Sequence, residues 1–435
     1  MKKKLLSLLS IAAMSIAFGQ WTPQNTGVQS QVIIQNIAVK DAKTVWTTFG
    51  DASGQSVYPR YVAVTGDGGT TWKNKIATGV PSTALISDIY GKDANTAFIV
   101  TAPTGSAGAA NGLWKTTNAG DSWTKVPGVF SNASFGNIIH FWDDNNGIVI
   151  GDPVNGKYEM YLTTNAGDSW TVLGTAPTQK NEDYGYVAGK VSYKNHLWLT
   201  SNTGRILHTA DFGKTWDSYD APIGDFSGEE EGGHMTFTDA NNGILIARNG
   251  WFWFTENGGK DWDLKDDVTD YFDDIKLIPG TNTLISLGGF YKNDFENPAG
   301  SSYSTDGGNT WNVFDHEAKG AIGTFDCNNV WGGGASADGK AGIFKLTNPV
   351  PGCSTLGVTD QNIKKTELKA VVKDGVLNIV SNKDVKNVLV GDMSARTLTQ
   401  ANSKNVNVSN LKPGVYYARV AYADGAFGTV KFIIK

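Results

Sequence analysis

Short apolar runs alternate with polar turns along nearly the whole chain. Segments such as 32–39 (VIIQNIAV), 147–151 (GIVIG) and 243–247 (GILIA) are rich in β-branched residues and lie between clusters of Asn, Asp and Gly. Such segments are typical of β-strands joined by tight turns. No long stretch has the spacing of an amphipathic helix. The pattern therefore predicts an all-β protein.

A second pattern repeats on a larger scale. Six copies of Ser/Thr-x-Asp/Asn-x-Gly-x-Ser/Thr/Asp-Trp, called the box below, recur every 46 to 51 residues. A repeat of this length indicates an array of similar units that bury their apolar faces against one another. The third position and the last position of the six boxes are Asp67 and Trp72, Asn118 and Trp123, Asn165 and Trp170, Asp211 and Trp216, Asn257 and Trp262, and Asp306 and Trp311.

The units can be counted from the turn that precedes each box. An Asn/Asp turn followed by an apolar strand occurs seven times, so the unit is strand, turn, strand, loop, strand, box, strand, as in a propeller blade. The seventh unit, near Phe325, has no box, but segment 20–23 (QWTP) resembles the residues that follow each box. We expect the N-terminal strand to complete this unit, which gives a seven-bladed β-propeller over residues 20–348. A six-bladed ring with an irregular appendage is the alternative.

The N-terminus has the features of a secretory signal peptide. Residues 2–4 are lysines, residues 5–18 are mostly apolar, and small residues end the segment at Gly19. We expect cleavage after residue 19; a buried first helix is the alternative. Export to an oxidising compartment makes Cys327 and Cys353 candidates for a disulfide, with two free thiols as the alternative. No later apolar run is long enough to cross a bilayer as a helix.

Charge is divided unevenly between two parts of the chain. Residues 20–353 carry 22 basic and 36 acidic side chains, a net charge of -14, whereas residues 354–435 carry 12 basic and 6 acidic ones. An acidic body repels polyanions, which argues against nucleic acid as a partner. No zinc-ligand spacing, nucleophile elbow or phosphate-binding loop is present, so we expect no metal and no cofactor, and we single out no catalytic residue.

The boxes resemble the Asp box, or bacterial neuraminidase repeat. In such a turn the hydroxyl and the Asp or Asn oxygen bind local backbone N–H groups, the Gly takes a positive φ, and the Trp packs between sheets. We therefore interpret the twelve box residues named above as structural. The resemblance extends to sialidases, xyloglucan hydrolases, sortilin-like receptor domains and the photosystem II assembly factor, so it implies a propeller without one activity.

Function is expected in the loops opposite the boxes. A sialidase needs three arginines on the substrate carboxylate, and the body has three, in loops of separate units; solvated loop charges are the simpler interpretation. Carboxylates beside aromatic rings suit a glycan or protein ligand, and a glycoside hydrolase using two loop carboxylates is the alternative. The candidate ligand-binding residues are Arg60, Asp183, Tyr184, Arg205, Glu230, Arg248, Trp251 and Tyr291.

A Pro/Gly linker, residues 349–356, separates the body from a tail over residues 357–435, in which five β-rich segments predict a small antiparallel β-sandwich. The segments 388–392 (VLVGD), 406–416 (VNVSNLKPGVY) and 430–435 (VKFIIK) resemble the C-terminal sorting domain of type IX secretion substrates in Bacteroidetes. Ala395 stands where that family usually has Gly. The resemblance implies recognition by the type IX secretion machinery and a secreted or outer-membrane surface location. An ordinary carbohydrate-binding sandwich is the alternative.

Overall fold

A computed structural model describes most of the chain after the predicted signal peptide. The chain divides into two units, Met1–Leu356 and Gly357–Lys435, called the body and the C-terminal module below. The described residues are 20–28, 31–53, 58–105, 108–131, 133–228, 232–248, 250–265, 271, 273–289, 299–335, 341–354, 368–391, 397–423 and 427–435.

The described part of the body consists of seven four-stranded antiparallel sheets and one short 3-10 helix, Gly108–Ala110. The first strand, β1 (Trp21–Asn25), belongs to the last sheet. The first three sheets contain β2 (Val32–Val39), β3 (Val45–Asp51), β4 (Tyr61–Thr65) and β5 (Lys73–Ile76); β6 (Ala84–Gly91), β7 (Ala97–Pro103), β8 (Gly112–Thr116) and β9 (Thr124–Lys125); and β10 (Gly136–Phe141), β11 (Gly147–Val154), β12 (Lys157–Thr163) and β13 (Thr171–Val172). The other four contain β14 (Gly185–Tyr193), β15 (His196–Ser201), β16 (Arg205–Thr209) and β17 (Asp217–Asp220); β18 (Gly233–Phe237), β19 (Gly243–Ala247), β20 (Phe252–Thr255) and β21 (Asp263–Lys265); β22 (Asp274–Leu277), β23 (Leu284–Gly288), β24 (Gly300–Ser304) and β25 (Asn312–Asp315); and β26 (Ala321–Asp326), β27 (Asn329–Ala335), β28 (Ala341–Leu346) and β1.

Consecutive sheets pack against each other through their first strands. Each of these strands contacts the first strand of the next sheet, and β26 of the seventh sheet contacts β2 of the first. Buried carboxylates connect two of these pairs. Asp88 of β6 accepts a hydrogen bond from the N–H of Ile139 in β10 (3.0 Å), and Asp274 of β22 accepts one from Ile322 in β26 (3.1 Å). Side-chain acceptors therefore satisfy backbone donors across sheet boundaries.

The N-terminal strand completes the seventh sheet, as the sequence predicts. β1 pairs with β28 over five residues, from Trp21 opposite Leu346 to Asn25 opposite Gly342. The Trp21 ring is buried, and its Nε1 donates to Ser301 Oγ of the sixth sheet (3.0 Å). The first described strand of the chain is thus tied to the last two sheets of the body.

A fully buried lysine stabilises this junction. The side chain of Lys319 is 0% exposed, and its Nζ lies 3.1 Å from Asp315 Oδ2 and 5.3 Å from the ring centroids of Trp21 and Phe344. The same Asp315 accepts a hydrogen bond from Ser301 Oγ (2.8 Å). The buried ammonium therefore has a carboxylate partner and two aromatic faces, which offset its loss of hydration.

The segment after β28 is also attached to the seventh sheet. Cys327, in the turn between β26 and β27, forms a disulfide with Cys353, and Val350 N donates to Cys327 O (3.0 Å). The first described strand and the described segment after β28 are therefore both attached to this sheet.

Two hydrogen bonds recur in all six boxes. In the first box the Thr65 hydroxyl accepts from Gly69 N–H and Asp67 Oδ1 accepts from Thr71 N–H, both at 2.9 Å. Hydrogen bonds from Thr71 lower the pKa of Asp67 to about 2. Gly69 has φ +94°, in the left-handed region that favours glycine. Trp123 is buried, and the other five box tryptophans are partly buried and pack against the apolar cores.

The described C-terminal module has a three-stranded and a four-stranded sheet around one apolar core. The sequence predicted five of its strands and missed β29 and β32. The strands are β29 (Leu368–Lys373), β30 (Val376–Ser381), β31 (Val385–Gly391), β32 (Thr397–Ala401), β33 (Asn405–Asn407), β34 (Gly414–Tyr422) and β35 (Phe427–Ile434). The sheet orders are β29–β30–β33 and β32–β31–β34–β35.

We expect Trp21→Ala to destabilise the body by about 3–5 kcal/mol, because it removes a buried ring and loosens the strand that covers β28. The free energy of unfolding from urea titration measures this. Val172→Ala is the control, since Val172 is 64% exposed on β13, and it should cost less than about 0.5 kcal/mol. Equal stability of the two variants would contradict the role assigned to Trp21.

Candidate functional face

The antiparallel order of each sheet places the connections at two opposite ends. First-to-second strand turns and boxes share one end, and the other end carries second-to-third strand connections and the connections to the next sheet. We call this second end the loop face. Arg60, Asp183, Tyr184, Arg248 and Trp251 lie in loop-face connections. Arg205 is the first residue of β16, directly after one of them, and Glu230 and Tyr291 fall outside the described residues.

Asp183 and Arg205 form a buried ion pair. Arg205 Nη1 lies 3.0 Å from Asp183 Oδ2, and their side chains are 7% and 0% exposed, respectively. Asp183 Oδ1 also accepts the N–H of Lys180, and Arg205 Nη1 donates to Thr178 O. Both residues thus hold the connection between β13 and β14 in place. This differs from the expectation that they contact a ligand, because neither reaches the surface.

The other two arginines also bind the backbone. Arg60 Nη1 donates to the carbonyl of Val80, and Arg248 Nη1 donates to that of Gly228 (3.0 Å). Arg248 also lies beside Tyr186, whose pKa is raised by burial and lowered in part by the arginine charge. None of the three arginines has the fully solvated position that the sequence suggested. Each fixes a different connection, and no contact among the described residues joins them into a triad.

A carboxylate that the sequence analysis did not single out lies at the boundary of the third and fourth sheets. Asp152 Oδ1 accepts hydrogen bonds from Asn137 Nδ2 (2.6 Å) and from Gly185 N–H (3.2 Å). Burial raises the pKa of Asp152 to about 6, although both hydrogen bonds act in the opposite direction. Its sequence signal was weak: an acidic residue that directly follows the apolar run of β11.

A second overlooked carboxylate stabilises a neighbouring connection. Glu159 of β12 accepts the N–H of Ser131 (2.8 Å) and the hydroxyl of Tyr161 (2.8 Å). Burial, together with Glu159, raises the pKa of Tyr161 to about 12. Asp152, Glu159 and Asp183 are therefore all engaged by nearby protein groups.

Exposed aromatic rings remain on the loop face. Tyr58, Tyr184 and Trp251 are 46%, 47% and 56% exposed. Trp251 also lies 5.9 Å from the buried Trp253, measured between ring centroids, so its ring rests on the core of the fifth sheet. By contrast, the exposed aliphatic side chains Ile76, Val172, Leu264 and Val313 lie on the outermost strands. Two further aromatic rings, Phe212 in the fourth box and Phe325 on β26, are less exposed, at 39% and 36%. The loop face thus carries the three most exposed aromatic rings of the described residues, which suit stacking.

The described residues contain neither a metal-ligand cluster nor a membrane-spanning helix. No group of three or more His, Cys, Asp or Glu side chains there could hold a metal ion. No helix in that part of the chain is long and apolar enough to cross a membrane.

Removing one partner of the Asp183–Arg205 pair should cost about 3–5 kcal/mol, because the other charge is left buried. We expect Asp183→Leu to lower the free energy of unfolding by this amount and the Asp183→Leu/Arg205→Met double variant to recover part of the loss. Lys115→Ala, which breaks the exposed pair with Asp168, is the control and should cost less than about 1 kcal/mol. A single variant as stable as the control would show that the pair is unimportant.

Asp152 should make stability depend on pH. Its pKa is higher in the folded chain than in the unfolded chain, so its contribution is complete below pH about 4 and is lost as the pH rises through about 6. Asp152→Asn keeps the acceptor oxygen and removes this loss. We expect the difference in the free energy of unfolding between the variant and the wild type to be about 1–3 kcal/mol more favourable to the variant at pH 7.5 than at pH 4. Urea titrations at both pH values measure this difference. The same pH dependence of stability in the variant and in the wild type would contradict the role assigned to Asp152.

The C-terminal module matches a protein family, and the larger part of the chain is similar to solved structures. Residues 373–435 match the family described as the secretion system C-terminal sorting domain. No curated protein matches the chain. Among solved structures, YCF48 bound to D1 peptide is similar, with 16% identity, a TM-score of 0.54, and coverage of 77% of this chain and 98% of that one. YCF48 from Cyanidioschyzon merolae gives 15% identity, a TM-score of 0.53, and coverage of 75% and 98%.

A third similar structure is an ancestral GH74 enzyme, with 12% identity, a TM-score of 0.47, and coverage of 94% of this chain and 63% of that one. At such low identities the YCF48 matches establish the fold alone, and they agree with a propeller-like body. The C-terminal match is specific to one export route. The chain therefore carries a type IX secretion sorting domain of Bacteroidetes at its C-terminus, which directs the protein to the cell surface or beyond it.

Proposed function

We propose that the protein is an exported seven-bladed β-propeller of the Asp-box type that binds an extracellular ligand on its loop face. The seven four-stranded sheets, the contact of β26 with β2 and the pairing of β1 with β28 support a closed ring. Such a ring holds its loops on a rigid scaffold, which suits recognition.

The observation that carries the binding proposal is the exposure of Trp251. The ring is 56% exposed and lies beside the buried Trp253, so it offers a face to a stacking ligand while contacting the core on another side. Tyr184 and Tyr58 extend the aromatic character of the same face. Neutral glycans and extended protein segments both present flat apolar surfaces flanked by hydrogen-bonding groups, and they are the proposed ligand classes.

A glycoside hydrolase is the second candidate. The pKa of Asp152, raised to about 6, is the observation in its favour, since a general acid must keep its proton near neutral pH. A hydrolase also needs a second carboxylate about 5 to 9.5 Å away with access to the sugar. Asp183, one of the two acidic candidates that the sequence suggested, is buried against Arg205, so binding without hydrolysis is the better supported function.

A glycan array and a display library of extended peptides, both probed with the mature full-length chain, test the proposal. We expect a ligand whose dissociation constant rises at least about fivefold in Trp251→Ala and in Tyr184→Ala, since one stacking contact contributes about 1 kcal/mol. Leu264→Ala, at a 53% exposed position on β21, is the matched control and should bind normally.

Two results would redirect the assignment. Ligand binding that is unchanged in both aromatic variants would exclude the loop face as the proposed stacking surface. Sugar release in a parallel hydrolysis screen, abolished by Asp152→Asn, would establish the hydrolase instead.

A further inference from the structure

The outward face of the four-stranded sheet in the C-terminal module combines apolar and cationic side chains. Strand neighbours alternate between the two faces of a sheet. Because Val388, Ala418, Val420 and Phe432 are buried in the core and Tyr416 packs against it, the residues next to them in sequence point outward. We call these outward residues the β34–β35 face: Leu389, Val415, Tyr417, Arg419, Lys431 and Ile433.

Register brings the apolar members of this face together. Ile433 lies directly opposite Val415, and Lys431 lies opposite Tyr417. On β31, Leu389 lies opposite Arg419. Ile433 is 59% exposed, so this cross-strand pair presents apolar surface to solvent. The exposed cation Lys431 belongs to the next outward pair, and the exposed cation Arg419 lies two residues beyond Tyr417 on β34. Single exposed apolar residues are common, but a paired patch flanked by one sign of charge is suited to a protein partner.

The module has a second outward face with similar chemistry, on β29 and β30. Val371 is 51% exposed and Val380 is 46% exposed, and Lys369 and Lys373 flank Val371. The sorting-domain match covers residues 373–435, so it contains β31, β34 and β35 completely but only the last residue of β29. The part of the chain identified with export therefore includes the whole β34–β35 face and excludes Lys369 and Val371.

Charge indicates the chemistry of the partner. Residues 354–435 carry 12 basic and 6 acidic side chains, whereas residues 20–353 carry 22 and 36. An acidic partner surface therefore attracts the tail and repels the body, which would orient the chain as it approaches. A partner with an apolar strip between carboxylates would match the Val415–Ile433 pair and the cations next to it.

We propose that the β34–β35 face is the surface by which the secretion machinery recognises this protein, through an acidic protein surface with an apolar strip. This inference is independent of the ligand bound by the loop face. It assigns the sorting function to one side of one sheet and predicts that the face on β29 and β30 is dispensable for recognition.

Export of the full-length precursor from a bacterium that has a type IX system tests the assignment. We expect the Lys431→Glu/Ile433→Asp variant to reduce the amount of protein at the surface and in the medium at least tenfold, with accumulation in the periplasm. The matched control is Lys369→Glu/Val371→Asp, which makes the same chemical change on β29 and should be exported normally. A chain lacking residues 354–435 gives the level of complete retention.

Two milder variants separate recognition from folding. Lys431→Arg keeps the charge and should be exported normally, whereas Lys431→Glu alone should reduce export, with both variants retaining the wild-type unfolding midpoint. Normal export of the Lys431→Glu/Ile433→Asp variant would overturn the proposal. Equal retention of the control pair would also overturn it, because recognition would then not distinguish the two faces. If charge reversal changed only the thermal unfolding of the chain, the face would contact another part of the protein itself, which is a third contradictory result.

Discussion

The open edge of β28 is the constraint on which the body depends. An unpaired edge strand exposes backbone N–H and C=O groups and invites pairing with other chains. β1 covers this edge from the opposite end of the sequence, and Trp21 anchors it through Ser301 and the buried Lys319. The disulfide between Cys327 and Cys353 attaches the segment that follows β28 to the same sheet. One sheet thus holds both ends of the body, while the other six are each built from consecutive strands.

The polar groups at the sheet boundaries explain why charge on the loop face is a poor guide to function. Asp88 and Asp274 satisfy backbone donors of the next sheet, and Asp183 is neutralised by Arg205. Strand-to-strand hydrogen bonds end where two separate sheets pack side by side, and buried polar groups there need other partners. Each of these carboxylates takes part in satisfying such groups. Among the candidate ligand-binding residues that the structure describes, the exposed ones are the aromatic Tyr184 and Trp251. Binding through Trp251 and Tyr184 is therefore compatible with the scaffold, whereas recruiting Asp183 for catalysis would disrupt it.

The two units have different tasks and opposite charge. The body is acidic and rigid, and its variable connections are gathered at one end. The C-terminal module is basic and matches a sorting domain, so export does not depend on which ligand the body binds. The propeller-like fold of the body implies no single activity. The destination of the protein follows from the C-terminal module, which matches a sorting domain, and not from the ligand that the body binds.

The sequence by itself determined the strand-rich units, the six boxes, the N-terminal strand as the missing piece of the seventh unit, and the export signal of the tail. These features are local patterns of residue type and spacing, so they can be seen without coordinates. It did not reveal β29 and β32. β29 has alternating core-facing residues, Leu368, Ala370 and Val372, and could have been predicted from them, whereas β32 (TLTQA) has few apolar residues. Only the tertiary structure decided that Asp183 and Arg205 are buried and that Asp152 lies in a desolvated boundary. The environment of a charged side chain depends on residues distant in sequence that fold against it, and a loop sequence alone does not contain that information.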